Sequence, residues 1–364
     1  MDLAAATTTL VAGGRDRRGW LRRLRAANTP QRAQIFKGEG IWGWIFVSPA
    51  IIGLCIFLGA PIIMSLLVSL RDWSGITAPF DSEFVGFDQY RQLITDDGVR
   101  RRDFALSIRN NFYYVAGVVP TQTAIALFLA VVLNQRRLKG KGFFRTAYYF
   151  PTITSSIAVS LIFLFLFQTR GAVNAALPFQ DINWLANPNG VIHNILGTVG
   201  VDSAPGWMDD TEILSLPLWE WISGPSVAML SIMILVTWTT TGILMLIFLA
   251  ALQNISPSVQ EAAEIDGATW WQRFRLITVP LLKPTITFVV TLGLIGTWQV
   301  FDQIFVISFG GPEKTTLTPA FLTYFQTFQN GEASLGAATA VVLFVIIMAF
   351  TVLQRRLMRN RDWS

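Results

Sequence analysis

A short polar set interrupts a long apolar run in the last quarter of the sequence, at positions 298–303. Gln299, Asp302 and Gln303 have the spacing i, i+3 and i+4, so in a regular helix they would share one face. Their amide and carboxylate groups can exchange hydrogen bonds with hydroxyl groups, and the ring of Trp298 can stack on a sugar ring. The alternative role for this set is an interhelical polar contact that holds a helix bundle together.

Other candidate polar residues are weaker. Gln122, Trp238 and Asn111 lie in or beside apolar runs, where packing or anchoring at the membrane interface is the alternative role. His193 has no second His or Cys beside it, which favours a surface histidine over a metal ligand. The chain has one cysteine, Cys55, which excludes a disulfide framework and a cysteine-based metal site. We therefore predict neither a metal nor a cofactor.

The composition indicates a membrane protein. Of the 364 residues, 52% are hydrophobic and 14% are charged, and the mean hydropathy is +0.48. Soluble domains carry about 25% charged residues. This deficit excludes a disordered chain and argues against a soluble enzyme.

Six apolar segments are long enough to cross a membrane as helices. None alternates between apolar and polar residues, as the strands of a membrane barrel would. We therefore predict an all-α polytopic membrane protein with six transmembrane helices, in which Asp302 is the one formal charge within a span. The predicted spans are residues 42–70, 112–133, 147–167, 225–252, 284–309 and 335–353.

The distribution of basic residues predicts the orientation of these spans. Of the 28 lysines and arginines, 20 lie in the segments that would share one side with both termini. The positive-inside rule places that side in the cytoplasm. Both termini are therefore expected to be cytoplasmic.

The flanking and connecting segments differ in character. Residues 1–40 form a basic tail, interpreted either as a disordered segment or as an amphipathic helix on anionic lipid. Residues 41–358 form the predicted membrane domain, and residues 359–364 a second cytoplasmic tail. The long extracytoplasmic loop 168–224 is either a cap or docking surface, or a tolerated insertion.

The cytoplasmic loop 253–283, between the fourth and fifth spans, has clear local signals. Pro257 after a serine predicts the start of a short helix, and Gly267 is placed to end it in a left-handed conformation. Thr269 then caps a second helix, and Gln272 completes a capping box. We predict two short helices that meet at a glycine near the membrane surface.

The side chains of this loop favour contact with another protein. Ala262 and Ala263 offer a small, smooth patch, and Glu261, Glu264 and Asp266 make it acidic. The alternative is an ordinary helical hairpin. Aromatic residues are expected to seat the loop against its own helices, namely Trp270, Trp271 and Phe274.

The order of residues in this loop resembles a known motif. Glu261-Ala262-Ala263-Glu264-Ile265-Asp266-Gly267-Ala268, with Ile277-Thr278-Val279-Pro280 following, resembles the EAA loop of ABC-importer permeases. Val279 is the one small departure, since leucine is usual before the proline. Three further segments resemble the sugar-type, maltose-permease-like branch: residues 143–151, the set at 298–303, and Gly310-Gly311-Pro312.

The resemblance covers residues 41–358 and implies a permease subunit without its own ATPase site. It implies that Glu261, Ala262, Ala263, Asp266 and Gly267 form a coupling helix that docks on an ATP-binding subunit. The implied partners are a second permease subunit, two ATP-binding cassette subunits and an extracytoplasmic sugar-binding protein. No nucleic-acid partner is expected.

Three functional alternatives remain at this stage. The first is import of a carbohydrate driven by ATP. The second is an ABC permease for glycerol phosphate or another polar solute, although no basic residue lies in a predicted span. The third is a secondary transporter that works without ATP, against which the absence of an ionisable pair within the spans argues.

Overall fold

The computed structural model describes residues 39–135, 138–176, 182–201, 203 and 205–358. Most of the predicted N-terminal tail and the whole of the C-terminal tail, 359–364, lie outside the described residues. The chain divides into two compact units, residues 1–63 and 64–364, which are described separately.

The described chain is built almost entirely of helices. In chain order these are α1 Glu39–Leu54, α2 Ala60–Val68, α3 Asp88–Ile94, α4 Val99–Asn134, α5 Lys141–Ile153, α6 Ser156–Leu166, α7 Ala172–Ala176, α8 Val191–Thr198, α9 Gly206–Asp209, α10 Leu218–Ile222, α11 Val227–Gln253, α12 Pro257–Ile265, α13 Trp270–Arg273, α14 Val279–Trp298, α15 Asp302–Ile307, α16 Pro319–Tyr324 and α17 Ala333–Met358. Single π-helical turns occur at Cys55–Gly59, Phe274–Thr278 and Phe325–Gln329, and one 3₁₀ turn at Pro79–Asp81. Two short antiparallel strand pairs join β1 Arg71–Asp72 to β2 Glu83–Phe84 and β3 Glu212–Ile213 to β4 Leu216–Pro217.

Within the described residues, five helical segments are long and apolar enough to cross a membrane, and the bent pair α5–α6 makes a sixth when it is counted as one span. The predicted all-α membrane fold is confirmed. The five segments are Ile41–Val68, Val99–Asn134, Val227–Gln253, Trp270–Ile307 and Ala333–Met358.

The described part of the first unit, residues 39–63, is apolar helix. Its main element, α1, continues through the π turn Cys55–Gly59 into α2, which begins at Ala60. The sequence predicts one span at 42–70. The structure has an irregularity inside that span, at this π turn.

Helix α4 begins well before the predicted span 112–133. Its 36 residues extend about 54 Å at about 1.5 Å each, more than the roughly 30 Å of a hydrocarbon core. The added N-terminal turns are charged, so hydropathy alone does not detect them. Arg101 pairs with Asp97 at 2.6 Å, which stabilises the start of the helix.

The third predicted span, 147–167, is wrong as a single helix. Helices α5 and α6 meet at an angle of 98°. Thr154 and Ser155 between them have extended backbone, with ψ values of 147° and 128°. Pro151 lies one turn before this break and lacks the N–H that would continue the helix regularly.

The fifth predicted span, 284–309, is also broken. Helix α14 ends at Trp298 and α15 begins at Asp302, with irregular backbone between them. At the other end, α13 leads through the π turn Phe274–Thr278 directly into α14. The second short helix expected in the cytoplasmic loop is therefore the first turn of this span, and Pro280 lies inside the helix.

Helix α11 is at the centre of the second unit, where it packs against α4, α5 and α14. Close approach to α5 requires Gly242, because a Cβ there would collide with the backbone carbonyl of Tyr148. One buried cluster contains Tyr114, Val118, Met229, Ile232, Ile304 and Phe321. Another contains Ala126, Ala130, Leu244, Met245, Phe248 and Leu282.

The loop 168–224 folds against the charged start of α4. Arg109, which is nearly fully buried, donates to the carboxylate of Glu220 at 3.1 Å. The ring of His193 stacks on Trp219 with centroids 4.3 Å apart, and its Nε2 lies 3.1 Å from the Trp219 carbonyl. Burial lowers the pKa of His193 below its ordinary value, so the neutral ring is favoured.

Candidate functional site

The cytoplasmic loop has the local structure that its residues predict. Helix α12 ends at Ile265, and Gly267 takes φ +77°, a left-handed conformation that favours glycine. The Gly267 N–H donates to the Glu264 carbonyl at 3.1 Å, and the Ala268 N–H donates to the Ala263 carbonyl at 2.9 Å. These bonds satisfy carbonyls at the end of the helix.

The second half of the loop is capped as expected. Thr269 and Gln272 form a complete capping box at the start of α13. The guanidinium of Arg273 pairs with the Glu264 carboxylate across the turn. The two helical segments are thus joined by bonds between near neighbours, and we infer that the loop is stiff.

The predicted contact residues do not all face outward. Glu261, Ala262 and Asp266 are exposed, but Ala263 is buried, with 7% of its surface exposed. The expectation that Ala263 is part of an exposed smooth patch is wrong, because its side chain lies on the inner face of α12. Ile265, which is 87% exposed, occupies the outer face where Ala263 was expected.

The aromatic residues of the loop also differ from expectation. Trp270 and Trp271 are each more than half exposed rather than seated against the loop's own helices. Trp270 stacks on Phe274, with centroids 5.7 Å apart and an interplanar angle of 3°. The aromatic side chains therefore pack mainly on one another.

A groove of about 750 Å³ lies between this loop and the end of α4. Glu261, Glu264 and Arg273 line it from the loop, and Asn134 and Gln135 line it from the end of α4. The loop is therefore open on two sides, at its outer face and at this groove.

A second cavity, of about 400 Å³, lies beside the break in the fifth span. Gln299, Asp302 and Gln303 line it, as do Gln122 of α4 and Thr240 of α11. The Thr240 hydroxyl donates to the Gln122 Oε1 at 2.6 Å. The structure thus brings three of the four predicted pathway residues together, although not on one face of a regular helix as expected.

The two helix breaks meet at this cavity. The Ser156 hydroxyl at the start of α6 donates to the carboxylate of Asp302 at the start of α15. Both groups lie at helix N-termini, where the backbone dipole favours a negative charge such as Asp302. A single hydrogen bond therefore links the broken third span to the broken fifth span.

Trp298, the fourth predicted pathway residue, is 1% exposed and does not line the cavity. Its ring packs on Phe350, with centroids 5.2 Å apart, and beside Val115, Val119 and Leu343. The expectation that it stacks on a ligand does not fit this position. As the last residue of α14, it lies among the buried residues of that helix, which include Val289 and Gly293.

The family model for the binding-protein-dependent transport system inner membrane component matches residues 122–362. The chain belongs to this family. This permease also shares 33% identity over 328 residues with the lactose transport system permease protein LacF of Rhizobium radiobacter, an alignment that covers 88% of the chain and 96% of LacF. It is 29% identical to the multiple sugar-binding transport system permease protein MsmF of Streptococcus mutans, over 88% of the chain and 96% of MsmF.

The fold of the permease is also found in solved structures. It matches a chain of a bacterial ABC transporter involved in the import of the acidic polysaccharide alginate, with a TM-score of 0.64 and 20% identity. That match covers 93% of this chain and 99% of the other. A chain of the alginate transporter in complex with an alginate pentasaccharide-bound periplasmic protein gives a TM-score of 0.66 at 20% identity, covering 91% and 97%.

The sequence did not single out every residue of these sites. Ile265 was quoted only within the motif, yet it lies three residues after Ala262 in α12, and this helical spacing places both on one face. Thr240 and Ser156 carried no signal of their own, because hydroxyl residues are common in apolar helices. Only the packing of α4, α6, α11 and α15 shows that they meet Gln122 and Asp302.

Proposed function

We propose that this permease passes a carbohydrate across the cytoplasmic membrane in an ATP-driven importer, after delivery by an extracytoplasmic solute-binding protein. It acts beside a second permease subunit, with which it forms a heterodimer. Two ATP-binding cassette subunits supply the energy. The family assignment supports the transport role, and the cavity at the broken fifth span supports the substrate class.

The lining of this cavity is suited to hydroxyl groups. Gln122, Thr240, Gln299 and Gln303 supply amide and hydroxyl groups that both donate and accept. Among the described lining residues Asp302 carries the one formal charge, and it is negative. A phosphate ester would instead favour Lys or Arg in this position. The lining therefore favours a neutral sugar over glycerol phosphate.

The names of the relatives also favour a carbohydrate. LacF is named as a permease for lactose, MsmF for multiple sugars, and a third relative, AraP of Halalkalibacterium halodurans, for arabinooligosaccharides. AraP is 28% identical to this chain over 320 residues. These names concern those proteins, and they support a carbohydrate here because the alignments run over most of the chain.

The cytoplasmic loop is proposed as the contact with the ATP-binding subunit. Glu261, Ala262 and Asp266 form its exposed docking face, and the structure adds Ile265 to them. Ala263 and Gly267 shape the loop, Ala263 by packing inward and Gly267 by its left-handed backbone. Movement of the docked loop would tilt α11 and α14, to which it is joined at either end.

ATP hydrolysis is assigned to the partners because the sequence has no G-x-x-x-x-G-K-[S/T] phosphate loop. The segment Gly310–Thr315 resembles one only loosely. Its Lys314 is paired with Asp103 of α4 at 2.7 Å. We propose that both termini are cytoplasmic and that this segment lies on the opposite side.

Uptake into proteoliposomes tests the proposal. The complete complex is reconstituted with its binding protein, and labelled lactose, maltotriose and glycerol 3-phosphate are supplied with ATP inside. We expect ATP-dependent uptake of a saccharide and none when ATP is replaced by a non-hydrolysable analogue. Uptake of glycerol 3-phosphate alone would overturn the substrate class, and uptake driven by an ion gradient without ATP would overturn the mechanism.

A further inference from the structure

A third cavity lies on the face of the molecule that the proposed topology places outside. It has a volume of about 410 Å³, within the 300–1,000 Å³ typical of small-molecule sites. Its walls are the segment after β1, helix α3, the start of α4 and the start of α17. The residues used below are Trp73, Ser74, Gln89, Gln92, Arg100 and Glu332.

Reciprocal hydrogen bonds fix the walls of this cavity. The Trp73 N–H donates to the Ser334 hydroxyl at 2.7 Å, and the Ser334 N–H donates to the Trp73 carbonyl at 3.2 Å. The Trp73 indole N–H donates to the Thr77 carbonyl at 2.7 Å. These bonds hold the segment after β1 to the first turn of α17, so that a ligand would meet a preorganised wall.

Arg100, at the start of α4, links the wall formed by α3 to the wall at the start of α17. Its guanidinium donates to the Gln92 Oε1 at 2.6 Å and to the Glu332 carboxylate at 2.5 Å. The positive charge of Arg100 is therefore balanced by Glu332, and the remaining charge on the lining is that of Asp72. An anionic ligand is disfavoured here, and a neutral one is favoured.

The most informative residue in the cavity is Gln89. It is 7% exposed and lines the cavity, and its amide has no hydrogen-bond partner among the residues that the structure describes. The amide atoms are not enclosed by protein, so they are open to the cavity. The free amide offers both donors and an acceptor, which is what the hydroxyl groups of a sugar require.

The indole nitrogen of Trp73 does not compete with this amide for a ligand, because it already donates to the Thr77 carbonyl. The amide of Gln89 and the polar side chains around it are therefore what the cavity offers to hydroxyl groups.

We propose that this cavity is an extracytoplasmic saccharide-binding subsite, which holds a neutral sugar through the amide of Gln89 and the polar lining around it. The inference rests on the proposed carbohydrate function and extends it to a second site on the same chain, remote in sequence from Gln299, Asp302 and Gln303. A saccharide released by the binding protein would be held here before it enters the bundle.

Saturation-transfer difference NMR tests the proposal on the complete transporter in nanodiscs without its binding protein. The probes are lactose, maltotriose and arabinotriose, with glycerol 3-phosphate as the anionic control. We expect magnetisation transfer to at least one saccharide and none to glycerol 3-phosphate. The Gln89→Leu variant, which keeps the volume and removes the amide, should reduce the transfer at least fivefold.

Two further variants complete the test. Ser74→Trp fills the cavity from an exposed position and should also reduce the transfer at least fivefold, even if Gln89→Leu fails to fold. Gln329→Leu removes an exposed glutamine that does not line the cavity and should leave the transfer unchanged. Transfer to no saccharide, or equal transfer in all variants, would overturn the subsite.

Uptake and docking measurements separate this proposal from the proposed function. If the complex imports a saccharide and yet shows no cavity-dependent transfer, the subsite is wrong and the carbohydrate function stands. If it imports only a non-carbohydrate solute, both are wrong. If Gln89→Leu weakens docking of the binding protein about tenfold and leaves saccharide transfer unchanged, the cavity receives that protein and the subsite is wrong.

Discussion

The cytoplasmic loop and the cavity at the broken fifth span are held together by different kinds of contact. In the loop, the bonds join residues at most nine positions apart, such as Glu264 and Arg273. At the cavity, Ser156 bonds to Asp302 across 146 positions, and Gln122 bonds to Thr240 across 118. We therefore expect the loop to keep its shape if the bundle moves, and the cavity to change shape if its helices shift. Such a difference would suit the proposed roles of the loop in coupling and of the cavity in transport.

The largest expected loss of folded protein comes from placing a side chain at Gly242, where α11 packs closely against α5. A side chain at Gly242 would meet the backbone of Tyr148 and the hydroxyl of Thr152. Overpacking costs about 1–3 kcal/mol and occasionally more, and backbone cannot move aside as a flexible side chain can. We expect Gly242→Leu to remove most folded protein, measured by fluorescence-detected size exclusion of the solubilised complex.

The control for this change is Gly142→Leu, at a position in α5 where a Cβ meets nothing within 4 Å. It should leave the yield of folded protein near that of the wild type. Equal yields for the two variants would show that the packing of distant helices does not determine the structure around the cavity.

The second effect concerns the turn of the loop. Gly267→Val places a β-branched residue at φ +77°, where left-handed backbone costs an L-residue roughly 1–2 kcal/mol. The loop should be redirected, and ATP-driven uptake should fall about tenfold, while the complex still assembles and hydrolyses ATP. Uptake and phosphate release are measured on the same proteoliposomes.

Gly98→Val is the matched control, because Gly98 also has open surroundings but an extended backbone with φ 167°. It should transport normally. Normal uptake by Gly267→Val would show that coupling does not need the left-handed turn at Gly267.

The third effect concerns the link between the broken spans. A hydrogen bond to a charged group contributes about 1.5–3 kcal/mol, so Asp302→Ala should reduce the uptake rate about tenfold. Ser156→Ala should cause a smaller loss, and the double variant should be no worse than Asp302→Ala alone. The measurement is a double-mutant cycle on uptake, with Ser156→Thr as the variant that keeps the hydroxyl.

Additive losses in this cycle would contradict the link. A change in KM that differs between saccharides would indicate that Asp302 contacts the substrate. A change in rate with constant KM would indicate that Asp302 stabilises the helix break.

The smallest effect comes from the cap of α13. Thr269→Ala removes one half of the capping box and costs about 1 kcal/mol. Because the other loop bonds remain, we expect uptake to fall only about twofold. Thr269→Ser, which keeps the hydroxyl, should behave as the wild type in the same assay, and a loss as large as that of Gly267→Val would contradict this ranking.

The sequence predicts these two regions unequally well. The start of α12 at Pro257, the left-handed Gly267 and the capping box of Thr269 and Gln272 follow from local rules, and each is confirmed. The number and the apolar character of the spans are predicted well for the same reason, since hydropathy is read over neighbouring residues.

The rest depends on residues far apart in the chain. Thr154 and Ser155 give no local signal for a 98° bend, and Gln299 looks like a helical residue in an apolar run. Trp298 is the last helical residue of α14 and packs in the bundle, whereas Gln299 after it has left the helix and lines the cavity. Ala263 faces inward because of how α12 lies on the bundle. None of these facts is contained in periodicity or propensity.

The most direct test of the account is a crosslink from the outer face of the loop to the ATP-binding subunit. Cys55, the one cysteine of the chain, is replaced by serine, and Ile265→Cys or Leu276→Cys is introduced. Both positions are well exposed, at 87% and 68%, but only Ile265 lies on the proposed docking face. We predict a short-range crosslink to the ATP-binding subunit from Ile265→Cys and none from Leu276→Cys. No crosslink from Ile265→Cys in an actively transporting complex would contradict the account.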